Sequence, residues 1–287
     1  MISEWRKRLE EGRLKSLKEM FGVHKPVIGM VHLPPLPGSV GYSNYSMDDI
    51  VSFAMRDAET LVKGGVDGLM VENMWDLPYF VGKDVPPEEM CCQAVAAREI
   101  VKAFDVPVGI NVVHNGGLVT LGIAVAAGAK FIRVCLLTGA QVWDTGEFDR
   151  GCAAELLRRR KSIGAEHIKI FADVDKKHSV RFPGIDLATH IEWNEFYLAD
   201  AIIVSGKMTG SPPELDKVRR ARELATRPIL MGSGTSPENI ADFMQYADGA
   251  IVGSSLKVDG KPENPVDINV VKAYMDAVKR VRDKYEA

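Results

Sequence analysis

The feature that most constrains the fold is a regular alternation of short apolar runs and longer helical patterns along residues 26–285. Most of the apolar runs, such as residues 201–204, are continuous and do not alternate with polar residues. Continuous runs are typical of parallel strands whose two faces are both covered by helices. Eight strand–helix units with no compositional break therefore predict an α/β protein, a single (β/α)8 TIM barrel domain over residues 1–287.

Residues 1–22 are predicted to form an extra N-terminal helix in front of the barrel. The apolar residues of this charged segment fall on one helical stripe: Trp5, Leu9, Leu14, Leu17 and Phe21. Such a stripe packs either on the barrel or against a second subunit, and we expect a homo-oligomer. An open, doubly wound sheet is the alternative architecture, but the G-x-G-x-x-G typical of its first strand is absent.

Composition bears on the classes of partner and on the compartment. A net charge of −3 and a pI near 6.1 give no electrostatic reason to expect nucleic acid as a partner. The four cysteines have no C-x-x-C spacing, so we expect reduced thiols, with neither a disulfide framework nor a thiolate metal site. Because no apolar run suits a secretory signal or a transmembrane segment, we expect a cytoplasmic protein.

Two small-residue turns late in the chain predict a phosphate site. The apolar residues 228–231 and 249–252 form the seventh and eighth strands, and glycine and serine follow each at once. Neighbouring parallel strands that end in such turns present several backbone N–H groups at one place. Ser236 and Pro237 open a helix predicted over residues 237–246, whose N-terminus also attracts an anion. The predicted phosphate-binding residues are Gly232, Ser233, Gly234, Gly253 and Ser254.

Polar side chains follow nearly every strand, at the end where TIM barrels carry their active sites. Glu72 and Asp173 are predicted to act as acid and base across the barrel mouth. His32 or His178 is predicted to carry a further proton. Lys207 lies in a glycine-flanked loop, where a contact to phosphate or substrate is a better interpretation than a Schiff base.

Three further polar residues have both a functional and a structural interpretation. Arg133 interrupts an apolar strand, and it pairs either with Glu72 as a structural bridge or with a substrate anion. Asn73 and Asn111 either bind substrate or satisfy the backbone of turns. The sequence leaves these alternatives open.

A divalent metal is a possible cofactor. Oxygen and nitrogen ligands would come from residues at two strand ends: Glu72, Asp173, Asp175 and His178. No close pair of histidines marks such a site. We therefore assign no metal ligand and no cofactor from the sequence.

Several separate blocks of the sequence resemble motifs of the BtpA family. They are Glu72-Asn73 with residues 76–80, residues 109–112, Ile132-Arg133 with residues 138–140, residues 172–174 with Lys177-His178, residues 200–206 with 209–210, and residues 248–257 with 259–260. The resemblance implies a barrel of the ribulose-phosphate-binding type. It also implies, for cyanobacterial members, a role in photosystem I biogenesis as a peripheral membrane-associated protein. Where the family pattern has Arg-Asn-Asp after the third strand, this chain has His114-Asn115-Gly116.

Two functional hypotheses follow from these observations. The first is an enzyme that acts on a phosphorylated small metabolite, a sugar phosphate or a nucleotide-like compound, by isomerase or lyase chemistry. The second is a non-catalytic assembly factor for a membrane complex, which requires an exposed apolar surface or a membrane-binding helix. The mixed charges of residues 1–22 argue against strong lipid binding by a helix there.

Overall fold

A computed structural model describes residues 2–206 and 210–286 of the chain. These residues form eleven strands, which are, in chain order, β1 (Val27–His32), β2 (Gly68–Glu72), β3 (Val108–Asn111), β4 (Phe131–Val134), β5 (Ala140–Trp143), β6 (Phe148–Arg150), β7 (Lys169–Val174), β8 (Ser179–Arg181), β9 (Ala201–Val204), β10 (Ile229–Met231) and β11 (Gly249–Val252).

The same residues form ten α-helices, which are α1 (Ile2–Glu11), α2 (Lys18–Phe21), α3 (Met47–Lys63), α4 (Pro87–Ala103), α5 (Gly117–Ala127), α6 (Ala153–Ser162), α7 (Leu187–Phe196), α8 (Leu215–Leu224), α9 (Ile240–Phe243) and α10 (Ile268–Glu286). Local sequence explains several of their ends. Ser46 and Asp49 form a capping box at the start of α3, and Pro87 takes the first position of α4. Gly128 ends α5 with a left-handed φ of 82°.

Eight strands of the described residues close into a parallel barrel in the order β1-β11-β10-β9-β7-β4-β3-β2. The predicted TIM barrel is therefore confirmed, and the seventh and eighth strands, predicted over residues 228–231 and 249–252, correspond to β10 and β11. The register places His32 beside Glu72, and Glu72 beside Asn111. Three of the residues singled out in the sequence therefore stand in one row at the carboxyl end of the barrel.

The N-terminal segment forms two helices, whereas the apolar stripe predicts one. Glycine is a poor helix former, and Gly12 follows the last residue of α1. Leu14, Leu17 and Phe21 are buried in one cluster with the apolar residues inside the barrel. The Phe21 ring meets the Phe131 ring edge-on, with centroids 5.7 Å apart. The stripe is not continuous, since Trp5 of α1 is 60% exposed.

Two further differences from the sequence predictions lie on the carboxyl side of the barrel. Strands β5, β6 and β8 form a small antiparallel sheet that the sequence analysis did not predict. The helix predicted over residues 237–246 is shorter, because only Ile240–Phe243 is helical. Asn239 accepts the N–H of Ser236 at 2.8 Å and donates to the Gly234 carbonyl at 3.0 Å. The bond from Ser236 is of the capping-box type, and the Ile240 N–H reaches the Ser236 carbonyl at 3.0 Å, but continuous helix begins only at Ile240.

No helix in the described part of the chain is both long enough and apolar enough to cross a membrane.

Candidate active site

The turns that follow β10 and β11 line one cavity of about 180 Å³ at the carboxyl end of the barrel. The lining includes all five small residues predicted to bind phosphate: Gly232, Ser233, Gly234, Gly253 and Ser254. The two turns are also bonded to each other, because Ser255 Oγ donates to the Thr235 carbonyl at 2.6 Å. The buried hydroxyl of Tyr274, from α10, donates to Thr235 Oγ1 at 2.9 Å. The last helix of the chain therefore supports the first turn.

The backbone of the two turns carries N–H groups that have no acceptor. Within residues 2–206 and 210–286, no hydrogen bond is made by the amide N–H of Ser233, Gly234, Gly253 or Ser254. Gly232, in contrast, donates its N–H to the Val204 carbonyl at 2.8 Å and ends the ladder of the sheet. Unpaired backbone donors beside a cavity are satisfied by water or by an anion.

Glycine is required in these turns because the backbone approaches its neighbours closely. A Cβ at Gly232 would lie 2.3 Å from Ser205 Oγ, and a Cβ at Gly234 would lie 2.1 Å from the Pro212 nitrogen. Gly234 also has a φ of 76°, a conformation that L residues rarely adopt. A larger residue at either position would displace the turn and reduce the space for a ligand.

His32, Glu72 and Asn111 form a hydrogen-bonded and electrostatic row beside this cavity. Asn111 donates its side-chain N–H to Glu72 Oε2, and His32 Nε2 lies 3.8 Å from Glu72 Oε1. His32 and Glu72 both line the cavity. Asn111 therefore orients the Glu72 carboxylate, which favours the functional over the turn-forming interpretation of this asparagine.

Burial determines the charge state of His32. It lowers the pKa of His32 to about 3, so the imidazole is neutral at physiological pH. Burial works to raise the pKa of Glu72, but the cationic groups around it hold that pKa below its ordinary value. The row therefore pairs an ionised carboxylate with a neutral imidazole.

Arg133 pairs with Asp173 and not with Glu72. The guanidinium donates from Nε and Nη2 to the two Asp173 oxygens at 2.7 and 2.8 Å. Arg133 is 2% exposed and Asp173 is fully buried. Burial disfavours the charged form of both groups. Asp173 nevertheless raises the pKa of Arg133, and Arg133 lowers the pKa of Asp173, so both groups stay ionised. Arg133 also lines the cavity, whereas Asp173 lies behind it.

Lys177, which follows β7, belongs to the site although it was not among the site residues predicted from the sequence. This side chain lines the cavity together with Glu72 and Arg133. Burial, assisted by the charges of Lys176 and Arg133, lowers the pKa of Lys177 to about 8. The signal in the sequence was a run of ionisable residues directly after a strand, but the run alone did not indicate which member faces the cavity.

The remaining predicted site residues lie elsewhere or serve the backbone. His178 lines a neighbouring cavity, where its Nδ1 lies 3.2 Å from Asp144 Oδ2. Asn73 accepts the N–H of Val113 at 3.0 Å and so satisfies turn backbone. Lys207 lies outside the described residues.

The residues considered for a divalent metal are not brought together. Asp173 is bound by Arg133, and Asp175 pairs with Arg181 and with Lys217. In the part of the chain that the structure describes, no three His, Cys, Asp or Glu side chains form a metal-binding group.

Comparison with known proteins identifies relatives over most of the chain. A family model described as the BtpA family matches residues 23–280. An uncharacterised protein of Thermococcus kodakarensis is 42% identical over 258 residues, which are 90% of this chain and 97% of that protein. The photosystem I biogenesis protein BtpA of Synechocystis is 39% identical over 264 residues, which are 91% of each chain.

Among solved structures, the barrel is similar to N-(5'-phosphoribosyl)anthranilate isomerase from Pyrococcus furiosus. The TM-score is 0.54 at 14% sequence identity, and the match covers 90% of this chain and 100% of the isomerase chain. At this identity the likeness shows a shared fold and no more.

Proposed function

The chain belongs to the BtpA family, and we propose that it is an enzyme that binds a phosphorylated small metabolite and acts on it by isomerase or lyase chemistry. The substrate class is a sugar phosphate or a nucleotide-like compound. One observation carries the proposal, namely that two kinds of group converge on one cavity. Unpaired N–H groups come from the turns after β10 and β11, and ionisable side chains come from His32, Glu72 and Lys177.

The two turns bind the phosphate through their backbone N–H groups. Neutral dipoles fixed by a sheet suit an anion because they need no rearrangement when it binds. Arg133 and Lys177 line the same cavity and supply positive charge. Asp173 has a positioning role in this scheme, because its buried carboxylate holds the Arg133 guanidinium at 2.7 and 2.8 Å.

Glu72 is the general base of the proposed reaction. Its ionised carboxylate removes a proton from a substrate carbon next to a carbonyl group, and Lys177 donates to the oxygen on which negative charge develops. His32, 3.8 Å from Glu72, is the second proton carrier. In isomerisation the proton is returned to the former carbonyl carbon while the proton of the neighbouring hydroxyl moves to the former carbonyl oxygen. In elimination the bond from the next carbon to an oxygen or nitrogen breaks as the carbon–carbon double bond forms, and the leaving atom takes the proton.

A thermal-shift screen tests the binding half of this proposal. Each sugar phosphate or nucleotide is paired with its dephosphorylated form, and at least one phosphorylated compound is expected to stabilise the protein while its partner does not. A ligand at 100 times its Kd stabilises the folded state by about 2.7 kcal/mol. Gly253→Val, which would place a side chain against His32, should abolish the shift. No response across the whole panel contradicts the proposal.

Glu72→Gln tests the catalytic half with any compound that the screen identifies. The substitution keeps the size of the side chain and its contact with Asn111 but removes the base. We expect kcat to fall by a factor of about 10² to 10⁴ while the Kd for the phosphorylated compound changes little. Unchanged turnover in this variant would exclude Glu72 as the base.

A second candidate function, the assembly factor, is supported by an exposed apolar surface. The outer face of the small sheet carries Val142, Phe148, Val180 and Phe182, which are 41%, 61%, 73% and 52% exposed. Apolar patches of this kind mark interaction sites. If this function requires peripheral membrane association, the protein should sediment with phosphatidylcholine–phosphatidylglycerol vesicles, and a Phe148→Ser/Phe182→Ser variant should not. Wild-type protein that stays in the supernatant would count against it.

A further inference from the structure

A second cavity, of about 490 Å³, adjoins the phosphate cavity. The two cavities share three lining residues, Glu72, Met74 and Lys177. The proposed base and the cationic lysine therefore stand at the boundary between them. A ligand long enough to enter both cavities would place its middle at these two groups.

Tyr79 and His114 form an aromatic wall of the second cavity, and Trp143 stacks on His114 from behind that wall. The His114 ring lies 3.9 Å from the Trp143 ring, with an angle of 6° between their planes. Tyr79 packs against His114 with ring centroids 4.7 Å apart, and its hydroxyl donates to the Met74 carbonyl at 2.6 Å. These contacts fix the Tyr79 ring, so it offers a rigid aromatic surface to a ligand.

Electrostatics make this wall suitable for an uncharged ring. Burial lowers the pKa of His114 to about 4, so its imidazole is neutral at physiological pH. Trp75, Leu77 and Pro78 add apolar surface to the same cavity. Pockets in which apolar walls surround a few polar groups are typical of small-molecule sites.

Three charged or polar side chains also line the second cavity. Lys176 and His178 line it together with Asp144, whose Oδ2 lies 3.2 Å from His178 Nδ1. Donors and acceptors beside an aromatic wall can bind the edge of a heterocycle while the wall contacts its face. A simple sugar phosphate has no flat apolar face to place against the aromatic wall.

We propose that the second cavity is a subsite for a planar aromatic or heterocyclic ring, and that the ligand joins such a ring to a phosphorylated arm. The substrate class is thus nucleotide-like, with a ring attached to a sugar phosphate, and an unsubstituted sugar phosphate is a partial ligand. This inference rests on the proposed function for the position of the phosphate. The bond that reacts lies between the two cavities, at Glu72 and Lys177.

Isothermal titration with ribose 5-phosphate, adenosine 5'-monophosphate and uridine 5'-monophosphate tests the ring subsite. At least one nucleotide should bind about ten-fold more tightly than ribose 5-phosphate, because stacking on an aromatic side chain adds to the phosphate contacts. Equal affinity for ribose 5-phosphate and both nucleotides overturns the ring subsite but leaves the phosphate enzyme intact. If none of the three compounds binds while another phosphorylated compound of the thermal-shift panel does, this inference fails and the proposed function stands; silence of the whole panel overturns both.

Two substitutions separate the ring subsite from the phosphate site. Tyr79→Leu and Trp75→Leu each remove an aromatic ring and keep an apolar residue, and either should reduce nucleotide affinity about ten-fold with ribose 5-phosphate affinity unchanged. Tyr79→Phe is the matched control, because it keeps the ring and loses only the bond to Met74. Parallel losses for nucleotide and ribose 5-phosphate in both leucine variants would indicate a general structural effect and overturn the assignment.

Discussion

The buried ion pair between Arg133 and Asp173 gives the sharpest prediction for stability. Asp173→Asn keeps the size of the side chain but leaves the Arg133 charge without its counter-ion, at a site where Arg133 is 2% and Asp173 0% exposed. Removing one partner of a buried pair costs about 3 to 5 kcal/mol. For a chain of 287 residues, each kcal/mol corresponds to about 2 °C, so Tm should fall by about 6 to 10 °C. Urea unfolding and calorimetry measure both quantities.

Two controls separate this effect from general damage. The double variant Arg133→Met/Asp173→Leu removes both charges, and it should be less destabilised than Asp173→Asn because no unpaired charge stays buried. Asp216→Asn breaks an exposed pair, in which the Asp216 side chain is 84% and the Arg219 side chain 54% exposed, and should leave the stability unchanged within error. A loss below about 1 kcal/mol for Asp173→Asn would refute the reasoning.

The pH dependence of the same variant gives an independent check. The pKa of Asp173 is lowered in the folded protein because Arg133 and Lys176 outweigh the effect of burial. A carboxylate with a lowered folded pKa contributes stability that is complete above its unfolded pKa of about 3.9 and is lost as the pH falls through the folded value. The stability difference between wild type and Asp173→Asn should therefore be constant from neutral pH to about pH 5 and shrink below about pH 4.

Three further predictions concern the lining of the phosphate cavity. The pKa of Lys177 is lowered to about 8, so its charge is lost as the pH rises through that value. The affinity for ribose 5-phosphate should therefore fall between about pH 7 and 9. In Lys177→Gln the affinity should not change over this pH range. Gly234→Ala should cost more stability in urea unfolding than Gly184→Ala, because both have positive φ but only Gly234 has no space for a Cβ. Tyr274→Phe should cost about 1 to 2 kcal/mol, since Thr235 loses a buried hydrogen bond; an unfolding midpoint equal to wild type would contradict it.

Local sequence predicted the secondary structure well where apolar pattern and end signals agree. The helices Met47–Lys63 and Pro87–Ala103 begin at signals that the sequence displays, because Ser46 forms a capping box with Asp49 and Pro87 takes the first helical position. The prediction was too long at residues 237–246, where continuous helix covers only Ile240–Phe243 although Asn239 accepts the N–H of Ser236 in the manner of a capping box. It also missed the sheet of β5, β6 and β8, because short strands in long loops lack a clear apolar period.

The site was predictable only as far as topology determines it. In a closed parallel barrel the ends of neighbouring strands meet, so the sequence already placed the turns at Gly232 and Gly253 together. The pairing of Arg133 with Asp173 was not predictable, because Glu72 was an equally suitable partner in charge. Register and rotamers decided between them, and these depend on packing over the whole barrel.

By itself the sequence determined the barrel, its helical cover and the small-residue turns, because each follows from the order of apolar and polar residues along the chain. Only the tertiary structure decided which ionisable groups share a cavity. It placed Lys177 beside Glu72, and it placed His178 with Asp144 in the second cavity. The reason is physical, since charge state and contact depend on burial and on neighbours brought from distant strands, and neither is encoded in local spacing.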